Sequence, residues 1–544
     1  MQVRFFLLLV AALVGKTFFS YANNPRLDTP PRLVLQLVVG SLGTEVVDLH
    51  WESLSPGGLP RLYSRGVVCQ DARYNHLVCN ASNGLATLVS GADVSRHGIV
   101  NSIWYSHVTG RKETFVADDF EHTIGAAQVG VGVSPRRLSV STLPDSWRQA
   151  YPSARLYSLA YDANDAILLA GRSSDLALWF DVRSGRWVSS SYYTDSLPGW
   201  IQQFNQKQLI QQYHQTEWLI SGSHTHTIRK IRRRPTDSQA DTALKGELKL
   251  PVQGFTRLAH TPNGNSLLRD LIVAAVEGAG LGRGKVPDLL SVYFTPLDRI
   301  AEIYGTESDQ FRDALLRFDK EIANLLDYLD YTVGRKEYLV VFTSAYASPP
   351  SPWLLAQSQV PSGYFNPDKA VYLLESYLSA LYGIKGVVVG YSAQSVYLNE
   401  ALLEKSHLPL QQVEQVAAKF LQDMNGVAAV YPMHVLQWSA ASNLRITRAI
   451  GGFHPKRSGH LLIDLMPGWV VSSSLSTKAR NAHYSYLSQV PLVFYGWRLR
   501  SRKISTPVYI RDVAATLSRI LYLREPNASD GNPIPGVGDW DDTP

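Results

Sequence analysis

Among the chemistry-bearing residues of this 544-residue chain, the histidines come first, because a close pair can hold a metal ion. His224-x-His226 lies among hydroxyl residues, but two histidines bind a metal only with a third ligand, and none is apparent; two surface histidines fit the pattern as well. The run Arg229-Lys230-Ile231-Arg232-Arg233-Arg234 offers charge to an anionic glycan, a lipid head group or a partner, or is a solvated loop. Cys79 is a nucleophile in principle. Paired with Cys69 it makes one local disulfide in an oxidising compartment; two small buried thiols leave the same trace, and both readings stay open. Two cysteines exclude a disulfide scaffold and a Cys-based structural zinc site. His454 and His460 flank the turn Pro455-Lys456-Arg457-Ser458-Gly459 and read as structural, and Asn527-Ala528-Ser529 matches a glycosylation sequon.

The elements that must position these residues alternate between strand and helix. Leu33–Val39 (LVLQLVV), Tyr338–Thr343 (YLVVFT) and Gly386–Tyr391 (GVVVGY) are continuous apolar runs, the pattern of strands buried on both faces. Between the first two, residues Asp309–Val333 repeat Phe311, Leu315, Phe318, Ile322, Leu325 and Leu329 at helical spacing. The expected fold class is α/β, a doubly wound, mostly parallel central sheet flanked by helices. The expected organisation is a core of residues 23–172, 251–386 and 451–525, with an inserted cap at 173–250. A second insertion spans 387–450, carrying an amphipathic helix through Leu408, Leu410, Val413, Ala417 and Leu421, and 526–544 forms a loose acidic tail.

Lys and Arg (52) barely exceed Asp and Glu (46), so no nucleic-acid partner is expected. Residues 1–22 carry Arg4, an apolar run Phe5–Val14 and Ser20-Tyr21-Ala22, the layout of a cleaved secretory signal. A hydrocarbon core needs about 20 apolar residues, so this run is too short to anchor, and no integral membrane protein is expected. The expected compartment is the periplasm, or the cell surface after export.

Several motifs in order along the chain resemble one family. Asn75–Gly91 (NHLVCNASNGLATLVSG), His97-Gly98-Ile99 with Trp104-Tyr105, Leu197-Pro198-Gly199-Trp200, Thr261–Leu268 (TPNGNSLL), Pro287-Asp288-Leu289-Leu290, Pro455–Gly459, Pro467-Gly468-Trp469 and Asp512–Leu517 (DVAATL) are similar to the alkaline phosphatase superfamily. The branch is that of type I phosphodiesterases and nucleotide pyrophosphatases, with the PafA-type threonine-nucleophile phosphatases most alike.

The resemblance implies an alkaline phosphatase-like fold and a pair of zinc ions that ionise a hydroxyl nucleophile. It also lets each functional position be checked. Gly40 stands where the family has a metal-binding aspartate, and Ala81 where it has the nucleophile; Ser82 is the only hydroxyl beside it. The phosphate-contacting positions fall on Ser102, Asp162 and Asn164, with Arg172 as a further anion-pocket residue. Of the later ligands Asp298 is retained, while Glu302, Ala345, Tyr346 and Arg480 replace the others. On this reading no catalytic residue, no metal and no cofactor are expected, and the protein is a catalytically inactive, phosphatase-like binding or assembly component with a protein or glycan partner in the cell envelope. Two alternatives stand beside it. One is a divergent phosphomonoesterase or phosphodiesterase with a site rebuilt from Ser82, Asp162, Asp298, Glu302 and Tyr346, with an unusual metal, zinc or none. The other is a module that holds an anion or glycan without turning it over.

Overall fold

A computed structural model describes residues 29–126, 130, 132–220, 254–471 and 488–538. Its main sheet has the strand order Arg502–Ile504, Val67–Arg73, Gln489–Gly496, Tyr338–Ser344, Leu33–Val39, Asp288–Phe294, Leu156–Leu159, Leu176–Asp181, Arg186–Ser190, Thr123–Ile124, with Val508–Tyr509 paired to Val67–Arg73. The five strands from Tyr338–Ser344 to Leu176–Asp181 are parallel. Leu33–Val39, Asp288–Phe294 and Tyr338–Ser344 are buried along their whole length. Helices cover both faces of such strands, which is why their sequences read as apolar runs.

The register aligns Val39 with both Ser344 and Phe294, so three strands end side by side. From these ends the chain passes into Gly40-Ser41, into the helix Thr295–Tyr304 and into Ala345-Tyr346. In open α/β sheets, ligands bind beyond the carboxyl ends of the strands. The helix Asp309–Leu329 buries the periodic residues expected of it and starts where Ser308 Oγ accepts from the Phe311 amide (3.1 Å). Phe318 on that helix packs edge-on against Phe294 at 5.1 Å, tying helix to sheet.

Residues Val388–Ser392, Ser395–Leu398, Leu461–Leu465 and Val427–Pro432 form a separate antiparallel sheet. Its own core joins Val396, Leu461 and Ile463 to Leu374, Leu378, Val413, Ala417 and Leu421. The run 386–391 is therefore not a parallel strand of the main sheet, and the second insertion does not stop at 450, because Leu461–Leu465 belongs to it. A short apolar run carries no information on which sheet it joins.

The cap expected at 173–250 also needs correction. Leu176–Asp181 and Arg186–Ser190 are strands of the main sheet, and their aromatic residues fill its core: Trp187 packs against Tyr161 (5.4 Å) and Phe180 (5.2 Å). Residues 526–538 are not loose. Ile534 and Val537 are buried, and Arg519 donates to the Val537 carbonyl (2.6 Å). Cys69 and Cys79 are free, buried thiols, both pushed up to about 12 by burial. The signal segment, His224, His226, the run 229–234 and Arg480 lie outside the described residues. Among the described residues, no helix is long and apolar enough to cross a membrane.

Candidate functional site

At the three aligned strand ends stands Asp298, in the first turn of Thr295–Tyr304 and buried. Ser41 Oγ donates to its Oδ1 (2.5 Å), Tyr346 OH to the same oxygen (2.6 Å) and Tyr293 OH to Oδ2 (2.8 Å). Ser348 Oγ in turn donates to Ser41 Oγ (2.8 Å). Ser41 holds φ at +63°, a left-handed conformation uncommon for a residue with a side chain, in the tight turn between Leu33–Val39 and the helix Thr44–His50. Burial pushes the Asp298 carboxyl up and Glu302 adds to this, against the hydrogen bonds from Ser41 and Tyr346.

A second group of charges adjoins it. Arg299 pairs with Asp162 (3.0 Å) and Glu302 (3.1 Å). Asp165, buried on the helix Ala163–Ala170, is pushed well above the usual carboxylate range by burial and by Asp162, with Arg299 opposing and Asp298 and Glu302 adding. The arrangement therefore offers a hydroxyl beside a carboxylate, two buried carboxyls whose proton affinity burial raises, and one guanidinium.

The structure thus brings together Asp162, Asp298, Glu302 and Tyr346, four of the five residues of the rebuilt-site alternative, with no contact to the fifth, Ser82, among those observed. Ser82 is buried in the first turn of Ala81–Ser90, a helix capped by Asn80. Gly84 on that helix meets the backbone of Ala345, where a Cβ would lie 1.9 Å from the carbonyl oxygen. Arg172 spends its guanidinium on the Leu138 carbonyl and its amide on Asp145 (2.9 Å). Asn164 lies in the first turn of Ala163–Ala170. Ser102 precedes the strand Ile103–Tyr105, beside Asn101, which bonds Ser392 of the second sheet (3.2 Å). Sequence reasoning missed Ser41, Asp165, Tyr293, Arg299 and Ser348. The turn Gly40-Ser41-Leu42-Gly43 between strand and helix was the available signal for Ser41.

An open cleft of about 630 Å³ lies elsewhere, lined by Trp104, His107, Glu113, Arg137, Glu400, Lys456 and Arg457 among others. Arg457 lies over the Trp104 ring at 4.8 Å. His454 nearby is held down to about 4 by burial and by Arg457, Lys456 and His107.

This fold defines a class of protein, and known relatives share it. The sequence model of the type I phosphodiesterase / nucleotide pyrophosphatase family matches residues 46–486. The chain belongs to that family, whose members are phosphoric ester hydrolases. It is 27% identical to a protein of Myroides odoratus named calcium-transporting ATPase, over 95% of this chain and 96% of that protein. It is 26% identical to alkaline phosphatase PafA of Elizabethkingia meningoseptica, over 93% of this chain and 94% of that one. The crystal structure of wild-type PafA superposes with a TM-score of 0.86 at 24% identity, covering 94% of this chain and 100% of that one.

These relatives correct the expectation of an inactive protein. A chain similar over 93% of its length to a named alkaline phosphatase, with the same fold, is better read as a phosphoric ester hydrolase, and nothing among the described residues shows inactivity. The family's zinc pair, however, does not fit the described residues. A Cβ at Gly40 would lie 2.3 Å from the Tyr293 hydroxyl and 2.5 Å from Asp298 Cγ, so the volume a ligand aspartate would need is filled. Both oxygens of Asp298 already accept hydroxyl protons, and Ala345 offers no donor atom.

Proposed function

We propose that this protein hydrolyses phosphoric esters through a site rebuilt around Ser41 and Asp298. The observation that carries the reading is the 2.5 Å hydrogen bond from Ser41 Oγ to Asp298 Oδ1 at the carboxyl ends of the parallel strands. A hydroxyl within reach of a carboxylate base is the minimal activated nucleophile. Asp298 takes the Ser41 proton as Ser41 Oγ attacks phosphorus, and the ester P–O bond breaks as the alcohol leaves carrying that proton; water, giving its proton to Asp298, then displaces phosphate from Ser41 Oγ, which takes the proton back, while Tyr293 and Tyr346 hold the carboxylate throughout. Arg299 is the cation available to the phosphoryl group, released from Asp162 or Glu302. Ser348, half-buried and bonded to Ser41, marks the side from which the ester reaches the pair. No step runs through zinc. Residues 1–22 suit export with cleavage after Ala22, which amino-terminal sequencing of the mature protein reads directly.

The test is an assay of the purified chain on p-nitrophenyl phosphate and bis(p-nitrophenyl) phosphate. Ser41→Ala and Asp298→Asn should each lower kcat by roughly 100-fold or more, while Ser82→Ala leaves it unchanged. No turnover of either ester by the wild-type chain, or full activity in Ser41→Ala, defeats the reading.

A further inference from the structure

The cleft walls hold a group of donors that the Asp298 site does not use. His107, Glu400 and His460 each bring one ligand atom to within 4.8 Å of the others, where the hairpin Ile103–Thr114 of the main domain meets the second sheet. The rings of His107 and His460 stack at 4.6 Å. The partners of these rings settle which nitrogens carry hydrogens. His460 Nδ1 accepts from the Leu398 amide (2.9 Å), so in a neutral ring Nε2 carries the proton and donates to Glu400 Oε1 (2.9 Å). His107 Nε2 faces the Ser458 carbonyl (2.8 Å) and must donate there. Its Nδ1 lone pair then points at Glu400 Oε1, 3.0 Å away.

Two acceptors at that distance repel unless a positive charge lies between or beside both. We propose that His107 Nδ1 and the Glu400 carboxylate hold one divalent cation of the zinc class at the wall of this cleft, with His460 positioning Glu400. A neutral imidazole and a carboxylate are ligands suited to such an ion, and an N–H fixed on a backbone carbonyl is the outer contact that metal-binding histidines ordinarily make. The open cleft leaves room for water on the remaining coordination positions. Lys456 and Arg457 on the same cleft would favour an oxyanion as an exchangeable ligand of that ion. The site is separate in residues from the Asp298 cluster and does not depend on the hydrolytic reading.

The experiment uses the full chain, stripped with a chelator and titrated with zinc chloride alone, with bound metal counted by elemental analysis. One zinc per chain is expected. His107→Ala and Glu400→Gln should abolish it, and His460→Phe should weaken it by about 10–100-fold. Asp298→Asn should leave the stoichiometry at one. No bound zinc, meaning that His107 carries a proton there instead, overturns the proposal. So does binding that survives His107→Ala and Glu400→Gln, or that is lost only on replacing His224 and His226. If either cleft variant fails to fold, the anomalous signal from zinc soaked into crystals of the wild-type chain decides: a peak at His107 supports the site, and a peak elsewhere or none overturns it.

Discussion

Ser41 Oγ donates to Asp298 Oδ1 across 2.5 Å although 257 residues separate the two in sequence. The same oxygen takes the Tyr346 hydroxyl, so the two donors share one acceptor. A hydrogen bond to a buried carboxylate contributes about 1–3 kcal/mol. Tyr346→Phe and Ser41→Ala should each destabilise the fold by that order in urea unfolding. The double variant should cost less than the two together, because the remaining donor tightens when its competitor leaves. Additive losses would show that the hydroxyls act on separate acceptors.

The family resemblance implies a metal-binding carboxylate at the position of Gly40. Its missing Cβ is occupied space here, shared by the Tyr293 hydroxyl and Asp298. Gly40→Asp alone should therefore destabilise the chain by about 1–3 kcal/mol through overpacking and add no bound zinc. Combining it with Tyr293→Phe, which removes the closest atom, should recover part of the loss. Thermal unfolding with metal analysis reads both outcomes.

His454 is pushed down to about 4 by burial, with Arg457, Lys456 and His107 acting in the same direction. Between that value and the ordinary histidine value near 6.5, the unfolded chain binds a proton that the folded chain refuses. Stability from this group is thus full above about 6.5 and falls as the pH drops toward 4. Because the ring is partly open to solvent, the loss is on the order of 1–2 kcal/mol. Urea midpoints at pH 7.5 and pH 5 should fall further for the wild-type chain than for His454→Gln. An equal fall in both would remove His454 as the cause.

Cys69 and Cys79 are buried thiols, and burial pushes both up to about 12. The thiolate is the reactive form, so the native chain should resist a thiol reagent at pH 8. Two thiols should titrate per chain after unfolding in guanidinium without reductant. None appearing would mean a disulfide.

Much of the fold was legible in the residues. LVLQLVV and YLVVFT could only be satisfied by burial on both faces, and they are the two adjacent strands at the heart of the sheet. The helix predicted over 309–333 runs Asp309–Leu329 and then loosens into one wide turn at Asp330–Gly334. Local periodicity determines such elements, because a face either buries or does not. It could not say that Trp187 and Phe180 pack inside the main sheet, or that 388–392 joins a separate one, since pairing partners lie tens or hundreds of residues apart.

The site divides in the same way. Matching motifs implied that Gly40, Asp298 and Tyr346 stand at family ligand positions and that most metal-binding residue types are replaced there, because ligand identity is a property of the residue. What the replacements do together was decided only in three dimensions. The Tyr293 and Tyr346 hydroxyls and Ser41 converge on Asp298 because three parallel strands end in register. His107 and Glu400, which the sequence did not single out, and His460, read as structural beside a turn, become neighbours only because the second sheet folds against the hairpin Ile103–Thr114. Sequence determined which chemical groups were present; tertiary packing decided which of them meet, and there a buried lone pair or carboxylate must find a partner.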